Sequence, residues 1–186
     1  MAGGVVKYRH LSRNSAHRRA LLRNLVTSLI QKETIRTSYA KAKEAQRAAE
    51  KLITLAKRNN ETSRQKAMGK VFTPDLVLPK LFGELRQRYA ERPGGYTRVL
   101  RTAPKSVYDQ GDSAILELVD GPRDLRFAMT AGAVALDTRL GRPSRPLTLL
   151  NRTKVTRYRP DGAAAFEEMV RRVATLRLGG GASRPG

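Results

Sequence analysis

The first acidic residue of the chain is Glu33, and this one-sided charge constrains the fold more than any other sequence feature. Residues 14–31, NSAHRRALLRNLVTSLIQ, place apolar residues at the helical period and therefore predict an amphipathic helix. Its first turn carries His17, Arg18 and Arg19, although the amino end of a helix has a partial positive charge that favours acids. We therefore expect an anion beside this end of the helix.

The whole chain shares this basic character. It has 186 residues, with 37 lysines and arginines against 16 acids, a formal net charge of +21 and no cysteine. Residues 1–60 hold 14 basic and three acidic residues, residues 61–127 hold 12 and nine, and residues 128–186 hold 11 and four. Such unbalanced charge indicates a polyanionic partner. The missing cysteines exclude a disulfide framework and a thiolate metal site.

The local patterns predict a mixture of helices and short strands. Runs that favour β structure occur at 35–39, 96–101 and 114–119, and the last two suggest an antiparallel hairpin with a long loop. Ser12, Asn14 or Ser15 can cap the first helix. Further helical patterns cover 40–58, 61–70, 80–88, 128–140 and 161–178, whereas Pro74 and Pro79 predict a break and NRTKVTRYRP at 151–160 predicts a basic extended segment.

These patterns divide the chain at a change of composition. We expect residues 1–127 to form a core domain with a basic amino-terminal arm, and residues 128–186 to form a carboxyl-terminal extension. The glycine-rich residues 179–186 predict a flexible tail.

Nothing in the sequence indicates catalysis. His10 and His17 are the only histidines, and no nearby carboxylate or cysteine completes a metal site. The acids around the predicted hairpin are expected to pair with arginines or stay solvated rather than hold a cation: Asp109, Asp112, Glu117, Asp120 and Asp124. We expect no enzyme activity, no cofactor, no metal and no small-molecule substrate.

The basic residues favour nucleic acid over a solvated face. Lys43, Arg47 and Lys51 lie four residues apart and form one ridge of the second predicted helix. No zinc spacing or basic-zipper heptad is present, so a structured RNA recognised by shape and backbone fits better than duplex DNA. Aromatic residues make up only 5 % of the chain, which argues against a single-strand binder built on stacked bases.

Two rival interpretations follow from the same charge. A free RNA chaperone or nucleoid DNA-binding protein would bind nucleic acid without entering a stable particle. A membrane-surface protein would use basic amphipathic helices on anionic lipid, although no apolar run approaches the roughly 20 residues that span a bilayer.

Several longer segments occur together in a fixed order. They are HLSRNSAHRRALLRNLVTSLI, IRTSYAKAKEAQRAAEKLITLAK, LFGEL, GGYTRVLR and AILELVD. Over about residues 8–127 the chain resembles the bacterial-type family of large-subunit ribosomal protein seventeen. The resemblance implies an α+β fold with a small mixed three-stranded sheet covered by helices, followed here by a basic extension containing helix. It also implies a structural role near the tunnel exit, with large-subunit rRNA and neighbouring ribosomal proteins as partners.

The resemblance also implies which residues face RNA. In the arm and the first two helices they are Arg9, His10, Arg13, Asn14, His17, Arg18, Arg19, Arg23, Lys41, Lys43 and Arg47. The GGYTR turn adds Tyr96, Thr97 and Arg98, which can serve packing as much as RNA. In the extension we expect RNA contacts from Arg152, Lys154, Arg157 and Arg159, and contacts with a neighbouring protein from Phe166, Met169, Val170 and Val173.

Two departures from the bacterial pattern resemble a fungal mitochondrial branch. The chain begins MAGGVVKYRH, and about 60 residues follow the shared domain. Residues 1–32 are arginine-rich, acid-free and amphipathic, as a matrix-targeting segment must be. We therefore expect a mitochondrial matrix ribosome, with an uncleaved import signal in this segment; a bacterial-type cytoplasmic ribosome is the alternative.

Overall fold

The computed structural model describes residues 8–106, 108 and 111–179, the last three of them by backbone alone. It divides the chain into two compact units, one ending at Arg123 and one beginning at Asp124. The predicted tail at 179–186 lies outside the described residues from position 180 onward.

The first unit contains a three-stranded sheet in the order β1-β3-β2. Its strands are β1 (Thr34–Ser38), β2 (Thr97–Thr102) and β3 (Ser113–Leu118). Both pairings are antiparallel. The predicted α+β class and all three strands are confirmed, but the sheet is not mixed, because the hairpin partner β3 also receives β1 in antiparallel register.

The predicted first helix is confirmed as α1 (Ser15–Lys32). Asn14 is its N-cap, and the Asn14 side chain accepts a hydrogen bond from the His17 N–H. The helix ends where Glu33 adopts a left-handed conformation with φ 63°, and the Glu33 N–H donates to the Leu29 carbonyl. This sharp exit turns the chain directly into β1.

Helix α2 (Tyr39–Arg58) packs on α1 and on all three strands. Its predicted inner stripe is buried completely, and consists of Ala42, Ala45, Ala49, Leu52, Ile53 and Ala56. Four alanines in this stripe let α2 approach its neighbours closely, because they project little beyond the backbone. Helix α3 (Glu61–Met68) follows, with Asn60 as its N-cap.

The break predicted at Pro74 and Pro79 is wrong. Pro74 is the first residue of α4 (Pro74–Lys80), a position where its missing N–H costs nothing. The chain then continues without interruption through one π-helical turn, Leu81–Leu85, into the short α5 (Arg86–Arg88). The wide turn begins two residues after Pro79, where a proline ring disturbs regular α-helical hydrogen bonding.

The second unit is a small helical cluster of α6 (Leu125–Arg139), α7 (Pro146–Thr156) and α8 (Gly162–Gly179). Phe127 and Phe166 meet edge to face with ring centroids 5.4 Å apart, and Val155 is buried beside them.

The extended segment predicted at 151–160 is therefore wrong over most of its length, because α7 occupies it to Thr156. Threonine has a low helix propensity, but the hydroxyls of Thr153 and Thr156 donate to carbonyls one turn earlier, those of Leu149 and Arg152. Burial of Val155 then favours the helix.

A buried ion cluster joins the end of α1 to α4 and α5. The Glu33 carboxylate lies 2.9 Å from Arg88 and 2.7 Å from Lys80. Burial opposes ionisation, but the hydrogen bonds from Arg88 and Lys80 prevail and lower the pKa of Glu33 below its ordinary value of 4.5. Gly121 leaves room for this pair, since a Cβ there would lie 2.5 Å from a Glu33 oxygen and 2.7 Å from an Arg88 nitrogen.

Replacing Glu33 with Gln should lower the free energy of unfolding at pH 7 by about 1.5–3 kcal/mol, because Lys80 loses its carboxylate and Arg88 keeps only the exposed Glu84 as a counter-charge. Because the pKa of Glu33 is lower in the folded protein than in the unfolded chain, ionised Glu33 stabilises the fold. This stabilisation is complete above pH 4.5 and is lost as the pH falls through the lowered pKa of the folded protein. Urea unfolding at pH 7 and at pH 3 measures both effects. The deficit of Glu33→Gln should shrink at the lower pH, and an equal deficit at both values would contradict the assignment.

Candidate nucleic-acid interface

A basic groove of about 600 Å³ lies in the first unit, where α1 and α2 face each other near the end of α3. It is lined by Tyr8, His10, Ser15, Arg18, Arg19, Leu22, Arg23, Val26, Glu44, Arg47, Ala48, Lys51, Gly69 and Lys70. Six of these residues are arginines or lysines and one is an acid. The structure thus brings five of the predicted RNA-facing residues to one place: His10, Arg18, Arg19, Arg23 and Arg47.

Glu44 supplies one anion that the cationic start of α1 requires. Its carboxylate is 5 % exposed and lies 2.7 Å from an Arg18 nitrogen. The other carboxylate oxygen accepts the backbone N–H of Arg9, and the Arg18 Nε donates to the Arg9 carbonyl at 2.7 Å. Arg18 and Glu44 together therefore fix the amino-terminal arm against α2.

Arg23 has a structural role beside its place in the groove. One of its terminal nitrogens donates to the Val71 carbonyl at 2.9 Å, and its guanidinium lies 4.1 Å from the Phe72 ring centroid. Thr27 adds a second tie, because its hydroxyl accepts the Phe72 N–H at 2.9 Å. These contacts hold the segment after α3 against α1.

The remaining predicted residues of the arm and helices lie around the groove rather than in its lining. Asn14 and His17 are exposed at the helix start, and Arg13 is half-buried and donates to the Leu11 carbonyl. Lys41 and Lys43 are half-buried on α2. The contacts of all these residues with RNA stay predictions.

The GGYTR turn is built for packing. Gly95 has a φ of +66°, which favours glycine. Tyr96 is 3 % exposed and its ring centroid lies 5.1 Å from that of Tyr89. Thr97 is also buried, and its N–H and hydroxyl both donate to Glu50, at 2.9 Å and 2.6 Å. The Tyr96 and Thr97 side chains therefore make their contacts within the first unit, which agrees with a packing role for this turn.

Arg98 and the hairpin acids form ion pairs, as the sequence indicates. Arg98 lies 2.7 Å from the fully buried Glu117, and Arg92 lies 2.7 Å from Asp120. Asp112 and Asp124 face Arg101 and Arg159 at 3.8 Å and 3.9 Å, whereas Asp109 lies outside the described residues. Within the described part of the chain, no group of acids, histidines or cysteines is arranged to hold a metal ion.

The predicted RNA-facing cations of the second unit divide into two kinds. Arg159 is ion-paired and lies 4.0 Å from the Phe127 ring centroid, so it completes the small core. Arg152 lies 3.6 Å from Glu167 and also covers Phe166. Lys154 and Arg157 are exposed on the surface of α7 and its end.

The apolar face predicted to meet a neighbouring protein turns toward the unit's own core. Phe166 is 1 % exposed, and Met169 and Val170 pack against it, with Val173 half-buried next along the helix. A different apolar surface is exposed instead, on the first half of α7. Leu147, Leu149 and Leu150 are 67 %, 50 % and 51 % exposed.

Sequence reasoning missed Tyr8, Glu44 and Lys70 as members of the groove. Tyr8 is half exposed, and the Arg18 guanidinium lies 4.6 Å from its ring centroid. The sequence does offer one indication of Tyr8, because it is an aromatic residue within an amino-terminal arm that has no acids. Nothing local marks Glu44 or Lys70, because only the packing of α1, α2 and α3 brings them together. No helix of the described residues is long and apolar enough to cross a membrane.

Comparisons with known proteins identify the family of the chain. A family model described as ribosomal protein L17 matches residues 21–119. A Neurospora crassa protein named large ribosomal subunit protein bL17m is 65 % identical over 185 residues, covering 100 % of this chain and 96 % of that protein. A Schizosaccharomyces pombe protein of the same name is 48 % identical over 167 residues, covering 89 % and 80 %. A Myxococcus xanthus protein named large ribosomal subunit protein bL17 is 48 % identical over 117 residues, covering 63 % and 83 %.

Replacing Glu44 with Gln should release the amino-terminal arm, because Arg18 and the Arg9 N–H lose their shared carboxylate. A charged hydrogen bond contributes about 1.5–3 kcal/mol, so its loss should open the arm more often. Trypsin should then cleave after Arg9 and Arg13 at least roughly tenfold faster than in the wild type. Timed digestion followed by mass spectrometry measures the rate. Glu61→Gln, an exposed acid of α3, is the control, and equal cleavage rates in the two variants would contradict the role of Glu44.

Proposed function

The chain belongs to the ribosomal protein L17 family, and on that premise we propose that it is a structural constituent of the mitochondrial large ribosomal subunit that binds large-subunit rRNA. The family consists of ribosomal structural proteins and not of enzymes. The main support for a contact with RNA is the groove between α1 and α2. Its lining includes six arginines and lysines and a single acid, which is already paired with Arg18.

The mitochondrial assignment is supported by where the relatives match. The Myxococcus protein covers 63 % of this chain, whereas the two fungal proteins, whose name bL17m denotes mitochondrial members, cover 89 % and 100 %. The second unit is therefore shared with a fungal relative that is 65 % identical along the whole chain. This supports a matrix ribosome rather than a bacterial-type one.

The chemistry of the groove suits an RNA backbone. Arg19, Arg47, Lys51 and Lys70 are exposed along its lining. Arginine presents a planar fork that fits phosphate oxygens, and each neutralised phosphate releases counterions. The contact is therefore strongest at low salt, and it survives inside a particle because many such contacts act together.

Arg47→Glu combined with Lys51→Glu should reduce the share of tagged protein that sediments with the mitochondrial large subunit, because two cations of the groove become anions. Arg58→Glu with Arg86→Glu is the control, since both residues are exposed and the change of charge is the same. Sucrose gradients of mitochondrial extracts, washed at high salt, measure the share.

The wild-type protein and the control should remain with the large subunit, and the groove variant should move toward the top of the gradient. Wild-type protein at the top of the gradient would contradict the proposal and favour a free RNA chaperone or nucleoid DNA-binding protein. Wild-type protein only in cytosolic particles would remove the mitochondrial assignment.

The second unit provides a further contact within the particle. Exposed Leu147, Leu149 and Leu150 are suited to a neighbouring ribosomal protein, and the exposed Lys154 and Arg157 are suited to rRNA. The predicted protein contact of the α8 face has less support, because α6 and α7 already cover Phe166.

A photo-crosslinking residue at position 150 should give protein adducts in purified large subunits, and the same residue at position 154 should give rRNA adducts. The apolar and the cationic parts of α7 then face different partners. Gel analysis with ribonuclease or protease treatment distinguishes the two kinds of adduct. Only rRNA adducts at both positions would contradict the division of α7.

A further inference from the structure

We propose that the groove between α1 and α2 holds an unpaired segment of RNA. At least one base is inserted between the Tyr8 ring and the apolar floor of the groove, which consists of Leu22, Val26 and Ala48. This inference rests on the proposed function and names the form of RNA that the groove takes. It also revises the expectation that scarce aromatic residues argue against stacking with bases.

The floor of the groove is apolar. Leu22, Val26 and Ala48 contribute to its lining between the flanking cations. A phosphate oxygen gains nothing from such a surface, because burying a charge against carbon is costly. A base has two flat faces that lose little by leaving water, so it matches this floor better than a phosphate does.

A ring lies at the entrance of the groove. Tyr8 is 50 % exposed, with the Arg18 guanidinium 4.6 Å and the His10 ring 5.3 Å from its centroid. Glu44 fixes Arg18, so the guanidinium and the ring are held in place before any ligand arrives. Arginine planes and aromatic rings are the surfaces on which unpaired RNA bases stack.

Cations flank the apolar floor of the groove. Arg19, Lys51 and Lys70 are exposed along the lining, so they can contact the phosphates on either side of an inserted base. Arg23 is held to the protein instead, because a terminal nitrogen donates to the Val71 carbonyl at 2.9 Å and its guanidinium lies 4.1 Å from the Phe72 ring centroid.

The dimensions of the groove favour an unpaired segment over a paired helix. A volume of about 600 Å³ suits one or two nucleotides, because pockets for small ligands measure about 300–1,000 Å³. Paired RNA keeps its bases stacked inside and presents only phosphates and the minor groove to a protein. A duplex would therefore contact the cations of the rim and leave the apolar floor empty.

The test compares two RNA probes on the purified full-length chain by fluorescence anisotropy. One is a single-stranded oligo(A) of about 12 nucleotides and the other is a duplex of the same length, both in about 0.3 M salt to reduce non-specific attraction. Ala48→Phe fills the floor without changing charge. Ala164→Phe, at an exposed position of α8, is the matched control.

Ala48→Phe should weaken oligo(A) binding about tenfold, which is within the range expected for a lost stacking contact, and should change duplex binding less than about twofold. Ala164→Phe should bind both probes as the wild type does. Tyr8→Ala should repeat the selective loss without altering the helical core, and Tyr8→Phe should restore the affinity.

Two results overturn the inference and differ from each other. If oligo(A) binding is unchanged in Ala48→Phe and Tyr8→Ala, the groove does not hold an unpaired base, although binding of RNA to the rim stands. If the wild type binds neither probe, even at low salt, the rRNA contact proposed for the groove fails as well, although membership of the ribosomal protein L17 family stands.

Discussion

In a chain with a formal net charge of +21, a few buried carboxylates decide which basic segments can lie together. Glu33 joins the end of α1 to α4 and α5, Glu44 fixes the amino-terminal arm to α2, and Glu117 pairs with Arg98 on the sheet. Each carboxylate is at most 5 % exposed, so its charge acts at short range with little screening by water. The fold depends on these pairs, because the basic segments would otherwise repel one another.

The same ion pairs determine which part of the surface stays positively charged. Arg88 and Arg98 are held by acids at the sheet and beside it, whereas Arg19, Lys51 and Lys70 lie along the groove, whose single acid already holds Arg18. Structure and function are therefore linked through one distribution of charge. The pairs that stabilise the first unit also concentrate the remaining cations where α1 faces α2.

Local patterns predicted most of the elements, because apolar periodicity marks α1 and α2 and runs of β-favouring residues mark the strands. It failed at Pro79, since a proline inside a helix was interpreted as a stop and a π-helical turn continued the chain. It failed again at α7, where the segment predicted to be extended is helical to Thr156 and buries Val155 against Phe127 and Phe166. The groove was only half predictable, because Glu44 and Lys70 join it through tertiary packing and no local pattern marks them.

The central claim, that the groove faces rRNA in the assembled subunit, can be tested directly because the chain has no cysteine. Ser15→Cys in the groove lining and Glu91→Cys at an exposed acid beyond α5 each provide one tether for an iron chelate. Hydroxyl radicals generated in reconstituted mitochondrial large subunits then cut nearby RNA, and primer extension locates the cuts. The account predicts strong rRNA cleavage from position 15 and much weaker cleavage from position 91. Cleavage that is absent from position 15, or stronger from position 91, would contradict it.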